Sequence, residues 1–305
     1  MGREIDLDLR TRIEAIAGHR VSTGRFVDRG YTPAERWVVT FENGSSAFAK
    51  SGVDSETSKP ATWLRNEHRA YSQITGDFMP QMLGWDDDGT QPLLLLEDLS
   101  AAVWPPPWTA AHIEAVRRTL DAIAATPPPE GTDDLDAVQR PHLEGWKRLA
   151  ADPAPFLGLG LASETWLALS LPSLIEAGDR AVLSGNALVH FDVRSDNICI
   201  ADRVAKLIDW PGYARGNSAV DLVAWLPSLY REGGPAPWEL VADSEGLAPL
   251  LAGYFAAQSG LPAPPTAPRV RVVQYDQLLA ALPWTIRELG LPPLDGPNAP
   301  PTQRS

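Results

Sequence analysis

The chain has 305 residues, enough for one large domain or two lobes that bury about three quarters of the unfolded surface. Its 26 Lys and Arg against 39 Asp and Glu give a net charge of −13, which argues against nucleic acid or anionic membranes as partners and favours cationic ligands. Cys199 is the only cysteine, which excludes an internal disulfide and leaves too little sulfur for a Cys-based zinc site. The charged N-terminus and the lack of a long apolar stretch predict a soluble protein of the cytoplasm.

The first hundred residues alternate mainly in the manner of β-strands. A short amphipathic helix is predicted first, and Asn43-Gly44 marks a tight hairpin turn between two of the strands. A second helix then separates three strands from two more, and the last strand ends at Glu97-Asp98. The predicted elements are a helix over 8–17, strands over 20–27, 36–42 and 46–50, a helix over 61–74, and strands over 81–85 and 92–96.

From Leu99 onward, proline clusters separate segments with helical periodicity. The predicted helices cover 110–125, 137–150, 163–177, 219–230, 247–258 and 270–289. The chain is therefore expected to be an α+β protein with a β-rich N-lobe over 1–98 and a mainly helical C-lobe over 99–290. The last residues, 291–305, have few apolar side chains and are expected to form a disordered tail.

The segment LVHFDVRSDNICIADRVAKLIDWPG, residues 188–212, carries the pattern most informative about function. It places His190, Asp192, Asn197 and Asp209 within one short stretch. A carboxylate at Asp192 can receive a hydroxyl proton, and the amide oxygen of Asn197, five residues later, can bind a cation. Asp209, at the end of an apolar strand, adds a harder cation ligand. This combination is typical of a kinase catalytic centre.

Two residues upstream have the chemistry that such a centre needs for a nucleotide. Lys50 ends the third strand, where it can hold the α and β phosphates, and Glu67 lies in the next helix, where it can pair with Lys50. Helical periodicity puts Glu67 on one face with Trp63, Tyr71 and Ile74, which points it inward. The two residues are therefore predicted to form a phosphate-positioning ion pair.

Other residues have roles that the sequence leaves more open. Gly30 is the one glycine in the loop between the first two strands, and backbone N–H groups near it can contact phosphate. Arg194 can stabilise the transferred phosphoryl group or form a salt bridge with Asp196. His190 is expected to be a buried hydrogen-bonding residue that shapes the loop rather than an acid or base. Asp221 can accept backbone N–H groups of the same loop.

Taken in chain order, these motifs resemble those of the aminoglycoside phosphotransferase and choline kinase-like family. The similarity runs from about Val21 to Tyr230 and is carried by Lys50, Glu67, LLLLEDL, HFDVRSDN, LIDW and Asp221. The resemblance implies a bilobal protein-kinase-like fold with a nucleotide-binding N-lobe and a C-lobe that holds a small-molecule acceptor.

By position, the resemblance also implies the roles of individual residues. Asp192 corresponds to the catalytic base, Asn197 and Asp209 to the Mg²⁺ ligands, and Lys50 with Glu67 to the phosphate-positioning pair. Glu97 and Leu99 stand where the backbone of the hinge meets the purine. Phe191 departs from the small residue that often follows the motif histidine in the family, and the glycine loop is degenerate. Both ATP and GTP therefore remain possible donors.

The expected activity is transfer of a γ-phosphoryl group to a hydroxyl of a small molecule, with an aminoglycoside-like antibiotic as the first candidate acceptor and hence a role in resistance. A metabolite such as an amino sugar or a choline-like compound is the alternative, and the net negative charge favours a cationic acceptor. A protein kinase is disfavoured because Trp210-Pro211 follows Asp209 and no long activation segment fits before the next helix. A non-catalytic nucleotide-binding protein and a metal-dependent hydrolase are less favoured alternatives.

Overall fold

The computed structural model describes residues 3–28, 30, 33–56 and 58–300. Its N-terminal part is an antiparallel sheet of five strands in the order β1-β2-β3-β5-β4, flanked by two helices. This confirms the predicted order β-β-β-α-β-β. In chain order the elements are α1 (Leu7–Ala17), β1 (Val21–Phe26), β2 (Glu35–Phe41), β3 (Ser46–Ser51), α2 (Pro60–Gln73), β4 (Met82–Asp86) and β5 (Leu93–Glu97).

The two faces of this sheet pack against different parts of the protein. Alternate residues of β2, beginning with Trp37, pack with Leu9 and Ile13 of α1 in a small separate core. The other face of β5, represented by Leu94 and Leu96, packs with α2 and joins the main core of the protein. Because side chains of a strand alternate between faces, Lys50 lies on the second face, turned toward the C-terminal part.

The C-terminal part is mainly helical, as predicted, with four short strands in two pairs. Strand β6 pairs with β9, and β7 pairs with β8, both antiparallel. In chain order the elements are α3 (Ala110–Ala125), α4 (Leu135–Leu143), α5 (Gly145–Ala151), α6 (Ala154–Leu157), α7 (Glu164–Arg180), β6 (Ala187–Val189), β7 (Ile198–Ala201), β8 (Val204–Leu207), β9 (Ala214–Gly216), α8 (Ala219–Arg231), α9 (Pro237–Leu240), α10 (Leu247–Ser259) and α11 (Val270–Leu289). A single 3₁₀ turn over Ser195–Asn197 leads into β7.

The helix expected over 137–150 is instead two helices, α4 and α5, that meet at Glu144. Pro141 lies in the last turn of α4 and removes a backbone donor there. Gly145 then packs directly on the backbone of Gly253 in α10. The break lets the chain turn so that α5 lies against α10, whose residues are buried on nearly all sides.

The tail also differs from expectation, because residues 291–300 are packed onto the helical part. Leu291 and Leu294 pack against the core around α7 and α11. Asp295 accepts hydrogen bonds from the backbone N–H of Ser163 at 2.7 Å and from its hydroxyl at 2.6 Å. A few apolar contacts and a helix-cap carboxylate thus hold a proline-rich segment in place. Residues 301–305 of the predicted tail lie outside the described residues.

None of the helices among the described residues combines the length and apolar character that a membrane span requires.

The close approach of α5 and α10 yields a test of the packing. A Cβ at Gly145 would overlap the carbonyl oxygen of Gly253, so Gly145→Ala should lower the free energy of unfolding by about 1–3 kcal/mol. Gly212→Ala is a matched control, because a Cβ there meets no atom within 4 Å, and should change stability by less than about 0.5 kcal/mol. Equal melting temperatures for the two variants in thermal denaturation would contradict this account of the helix break.

Candidate active site

A buried lysine joins the sheet to the C-terminal part. The Nζ of Lys50 lies 2.6 Å from Oε2 of Glu67 and 2.7 Å from Oδ1 of Asp209. Burial acts to lower the pKa of Lys50, but the two carboxylates outweigh it and raise this pKa. Burial likewise acts to raise the pKa of Asp209, and Lys50 outweighs it, so that this pKa falls to about 2. The group is thus a charged cluster in which one ammonium holds two carboxylates.

Helix α2 presents Glu67 to this cluster from its inward face. Glu67 is buried together with Leu64, Ala70 and Tyr71. The inward position of Glu67 agrees with the prediction from helical periodicity. Trp63 was predicted to lie on the same inward face, and this was wrong, since Trp63 is 42% exposed. The apolar stripe of α2 is centred on Leu64 and Tyr71 instead, which leaves Glu67 among apolar neighbours with Lys50 as its cation.

Asp221 fixes the shape of the loop that follows β6. Its two carboxylate oxygens accept the backbone N–H groups of His190 and Phe191, each at 2.8 Å. Phe191 has a φ of +68°, a left-handed conformation that a bulky residue rarely adopts. The two hydrogen bonds that the buried Asp221 accepts offset the cost of that conformation.

His190 is completely buried and belongs to the scaffold of this loop. Its Nε2 lies 3.0 Å from the carbonyl oxygen of Ile208, and its Nδ1 accepts the backbone N–H of Asp192 at 3.2 Å. The ring also packs edge-on against Trp210, with centroids 4.4 Å apart. Burial lowers the pKa of His190 to about 4, so the ring is neutral near pH 7. Through these hydrogen bonds, His190 links the Asp192 loop to the segment that carries Asp209.

Asp192 itself lies between an amide and a guanidinium. Its Oδ2 accepts from Nδ2 of Asn197 at 3.0 Å, and its Oδ1 lies 2.9 Å from Nε of Arg194. Burial raises the pKa of Asp192 to about 6, although Arg194 acts in the opposite direction. Arg194 also lies 3.6 Å from Asp196, so both contacts considered for it from the sequence are compatible with its position.

Asn197 and Asp209 have the donor chemistry for a hard cation. Because Nδ2 of Asn197 donates to Asp192, the amide oxygen is the atom left to coordinate. The side chain of Asp209 is one-third exposed. The space bordered by Lys50, Asp209 and the Asp192 loop is called the cleft below. No cluster of three or more His, Cys, Asp or Glu side chains fit for a metal occurs among the described residues. One or two protein oxygen ligands are what Mg²⁺ usually takes, with phosphate oxygens and water completing its shell.

The predicted purine-binding segment follows β5. The backbone N–H of Glu97 donates to Gln81 at 2.8 Å, and its carboxylate lies 2.6 Å from Nζ of Lys206. The carbonyl of Leu99 accepts from Nε1 of Trp104 at 3.0 Å. Among the hydrogen bonds of the described part of the chain, none uses the N–H of Leu99. That group is therefore one of the donors that a purine at this segment could use.

The loop between β1 and β2 is described only in part, since Arg29, Tyr31 and Thr32 lie outside the described residues. Gly30 has a φ of +97° and lies against the guanidinium of Arg36. Arg36 pairs directly with Lys50 across β2 and β3. The sequence reading did not single out Arg36, and the only signal that could have indicated it was the exact register of the hairpin.

No protein-family model and no curated protein matches the chain. Among solved structures, a proposed fructosamine-3-kinase from Thermobifida fusca matches with a TM-score of 0.50 and 21% identity, over 90% of this chain and 98% of that one. An amicoumacin kinase in complex with AMP-PNP, Ca²⁺ and amicoumacin has a TM-score of 0.49 and 15% identity, over 91% of this chain and 87% of that one.

A choline/ethanolamine kinase family protein from Mesorhizobium loti has a TM-score of 0.43 and 15% identity, over 93% of this chain and 86% of that one. At these identities the likeness concerns the fold alone, and it is carried by the first of the three structures. The chain has the protein-kinase-like fold of small-molecule kinases, which confirms the α+β bilobal fold class expected from its motifs.

The burial of His190 predicts a dependence of stability on pH. The unfolded chain binds a proton at this residue below about pH 6.5, whereas the folded chain does so only near pH 4. The unfolded state therefore binds more protons between these values, and the free energy of unfolding should fall as the pH is lowered, by up to roughly 3 kcal/mol from this residue.

Urea denaturation near pH 7 and near pH 4.5 measures this effect. His190→Asn should be less stable than wild type near pH 7, but it should lose less stability on acidification. His142→Asn, a change at an exposed histidine of α4, is the control and should follow the wild-type pH dependence. A His190→Asn variant with the same loss on acidification as wild type would contradict the assignment of a neutral buried ring.

Proposed function

We propose that the protein is a phosphotransferase that moves the γ-phosphoryl group of ATP or GTP to a hydroxyl of a small molecule. The observation that carries this proposal is the Lys50, Glu67 and Asp209 cluster beside the Asp192 loop. A lysine held by a helix glutamate positions nucleotide phosphates in kinases, and the loop aspartate orients the acceptor. Nucleotide binding without catalysis would not explain the arrangement of Asp192, Arg194 and Asn197.

In the proposed reaction, Asp192 accepts a hydrogen bond from the acceptor hydroxyl and aligns the hydroxyl oxygen with the γ-phosphorus. As the bond from this oxygen to the γ-phosphorus forms, the bond from the γ-phosphorus to the β,γ-bridging oxygen breaks, ADP or GDP leaves, and Asp192 takes the hydroxyl proton. A pKa of about 6 leaves this carboxylate ionised at neutral pH while keeping it basic enough to receive a proton. Arg194 lies against Asp192 and is placed to stabilise charge on the transferred group. Asn197 and Asp209 would hold Mg²⁺, which neutralises phosphate charge.

On the nucleotide side, we assign the purine to the segment from Glu97 to Leu99. The N–H of Leu99 and the carbonyl of Glu97 are a donor and an acceptor two residues apart at the end of β5. Such a pair can bind the edge of either purine, and the proposed donor is accordingly ATP or GTP. Lys50 would contact the α and β phosphates while Glu67 keeps its ammonium in place.

A cavity of about 310 Å³ adjoins the Asp192 loop and is the proposed acceptor site. Its lining combines three acidic residues with apolar and neutral polar ones: Ser195, Asp196, Ser228, Glu232, Val272, Val273, Asp276 and Gln277. Burial raises the pKa of Glu232, and Nε1 of Trp108 donates to its carboxylate at 2.7 Å. A lining with three acidic residues matches a ligand that carries amines.

Two acceptor classes fit this chemistry. The first is an aminoglycoside-like antibiotic, which would make the protein a resistance enzyme. The second is an amino sugar or another hydroxylated amine of metabolism. The name of the Thermobifida fusca neighbour, a proposed fructosamine-3-kinase, supports the second class. We place the protein in the cytoplasm, where its nucleotide donor and Mg²⁺ are abundant.

Replacing Asp192 with Asn tests the proposed reaction. The amide keeps the size of the side chain but cannot take a proton, so turnover should fall by roughly 100- to 10,000-fold, while nucleotide affinity changes by less than about threefold because no phosphate contact is lost. The assay measures ADP release across a panel of aminoglycosides, amino sugars and amino alcohols, with product mass to show the gain of one phosphoryl group.

Asp202→Asn is the matched control, since Asp202 is exposed in the turn between β7 and β8 and has a φ of +49° that Asn tolerates. It should keep wild-type turnover. Full phosphoryl transfer by Asp192→Asn would refute the role of Asp192. Nucleotide hydrolysis by wild type with no phosphorylated product from any acceptor would refute phosphoryl transfer to these classes.

A further inference from the structure

Arg36 shares a face of the sheet with Lys50. The two residues are direct partners in the antiparallel pair of β2 and β3. Side chains of directly opposed residues project to the same face and lie about 5 Å apart at their Cβ atoms. Since Lys50 points from this face toward Glu67 and Asp209, Arg36 enters the same cleft one strand farther along the sheet.

The guanidinium of Arg36 lies under the loop between β1 and β2. A Cβ built on Gly30 would be 2.9 Å from both Cζ and Nη2 of Arg36, so the loop backbone rests directly on the planar group. Nη1 of Arg36 donates to the carbonyl oxygen of Ala34 at 2.9 Å, which fixes the orientation of the guanidinium. The side chain therefore occupies the space between the loop above and the Lys50 cluster below.

The charges around Arg36 place it in the phosphate-binding part of the cleft. Burial lowers the pKa of Arg36, while the carboxylates of Asp209 and Glu67 act in the opposite direction, which shows that both are near. The guanidinium remains protonated. Lys50 and Arg36 together balance the two carboxylates, so the four side chains carry no net charge before a nucleotide binds. A triphosphate adds several negative charges, and a second fixed cation reduces the repulsion that it meets.

The segment between β1 and β2 is poor in glycine. Kinases of this fold cover their phosphates with a glycine-rich loop whose backbone N–H groups face the oxygens. Here the segment DRGYTP contains one glycine, and the guanidinium fills the space directly beside it. A planar fork with several N–H groups is well suited to two phosphate oxygens at once.

We propose that Arg36 is a nucleotide-binding residue that contacts the β and γ phosphates and supplies from a side chain the hydrogen bonds that a glycine-rich loop supplies from its backbone. This inference rests on the proposed function of the same cleft. The competing role is purely structural: Arg36 would only balance the charge of the Glu67 and Asp209 carboxylates and pack against Gly30. If Arg36 binds phosphates, the affinity lost on its substitution depends on the number of phosphates in the ligand. If Arg36 only supports the structure, the loss is the same for every ligand.

Calorimetric titration of Arg36→Met with MgATP, MgADP and adenosine separates them. The affinity for MgATP should fall roughly 10- to 100-fold, as expected for loss of charge-assisted hydrogen bonds to phosphate. The loss for MgADP should be smaller, and the affinity for adenosine should stay within about twofold of wild type. Arg65→Met removes a surface arginine that pairs with Asp87 at 2.7 Å and should bind all three ligands as wild type does.

Arg36→Lys keeps the charge and provides the test if the Met variant does not fold. It should bind MgATP more weakly than wild type and adenosine equally well, because an ammonium lacks the planar fork. Equal losses for MgATP and adenosine in either folded variant, or unchanged MgATP affinity, would overturn the assignment of Arg36 and leave the proposed phosphotransferase intact. A wild-type protein that binds neither MgATP nor MgGTP would overturn both.

Discussion

The ammonium of Lys50, held between the carboxylates of Glu67 and Asp209, is the contact on which the geometry of the cleft depends. It joins residues that are 17 and 159 positions apart in the chain and that belong to the sheet, to α2 and to the segment after β8. Removing one partner of a buried ion pair typically costs about 3–5 kcal/mol, because an uncompensated charge is left behind. The cluster therefore joins the sheet to the segment that carries Asp209, and it does so with groups that the proposed function assigns to the nucleotide and the metal.

The loop on the opposite side of the cleft depends on backbone conformations that ordinary side chains disfavour. Phe191 and Asp209 both have left-handed φ values, +68° and +67°, and each such residue costs roughly 1–3 kcal/mol. Asp221 offsets the first through two backbone hydrogen bonds, and Lys50 binds the second directly. His190 connects the two segments through Ile208. The Asp192 loop is thus held by the buried Asp221 and His190, and Asp209 is held by Lys50.

The sequence predicted the parts of this arrangement that depend on local spacing. Alternation and turn residues gave the order of the strands, and the spacing from His190 to Asn197 marked the loop that the structure brings beside Lys50 and Asp209. The inward position of Glu67 followed from helical periodicity, although Trp63 was placed on the wrong face because an aromatic residue was assumed to be buried. In the structure Trp63 is 42% exposed.

What the sequence did not predict depends on exact register and on distant contacts. A two-residue turn at Asn43-Gly44 would pair Lys50 with Trp37. The observed loop has three residues, because the N–H of Phe41 bonds to the carbonyl of Ser45 at 2.8 Å, and it pairs Lys50 with Arg36. The break at Glu144 and the order of residues 291–300 likewise depend on Gly253 and Ser163, far away in the chain. No local pattern contains that information.

The most direct test of the central claim is a crystal structure of the protein with Mg²⁺ and a non-hydrolysable ATP analogue. In that structure we expect the phosphates to contact Lys50, the metal to lie on Asn197 and Asp209, and the γ-phosphate to face Asp192 across the space left for an acceptor hydroxyl. A nucleotide bound elsewhere, or a triphosphate in the cleft with Lys50 still paired only to Glu67 and Asp209 and with no metal on Asn197, would contradict the central claim.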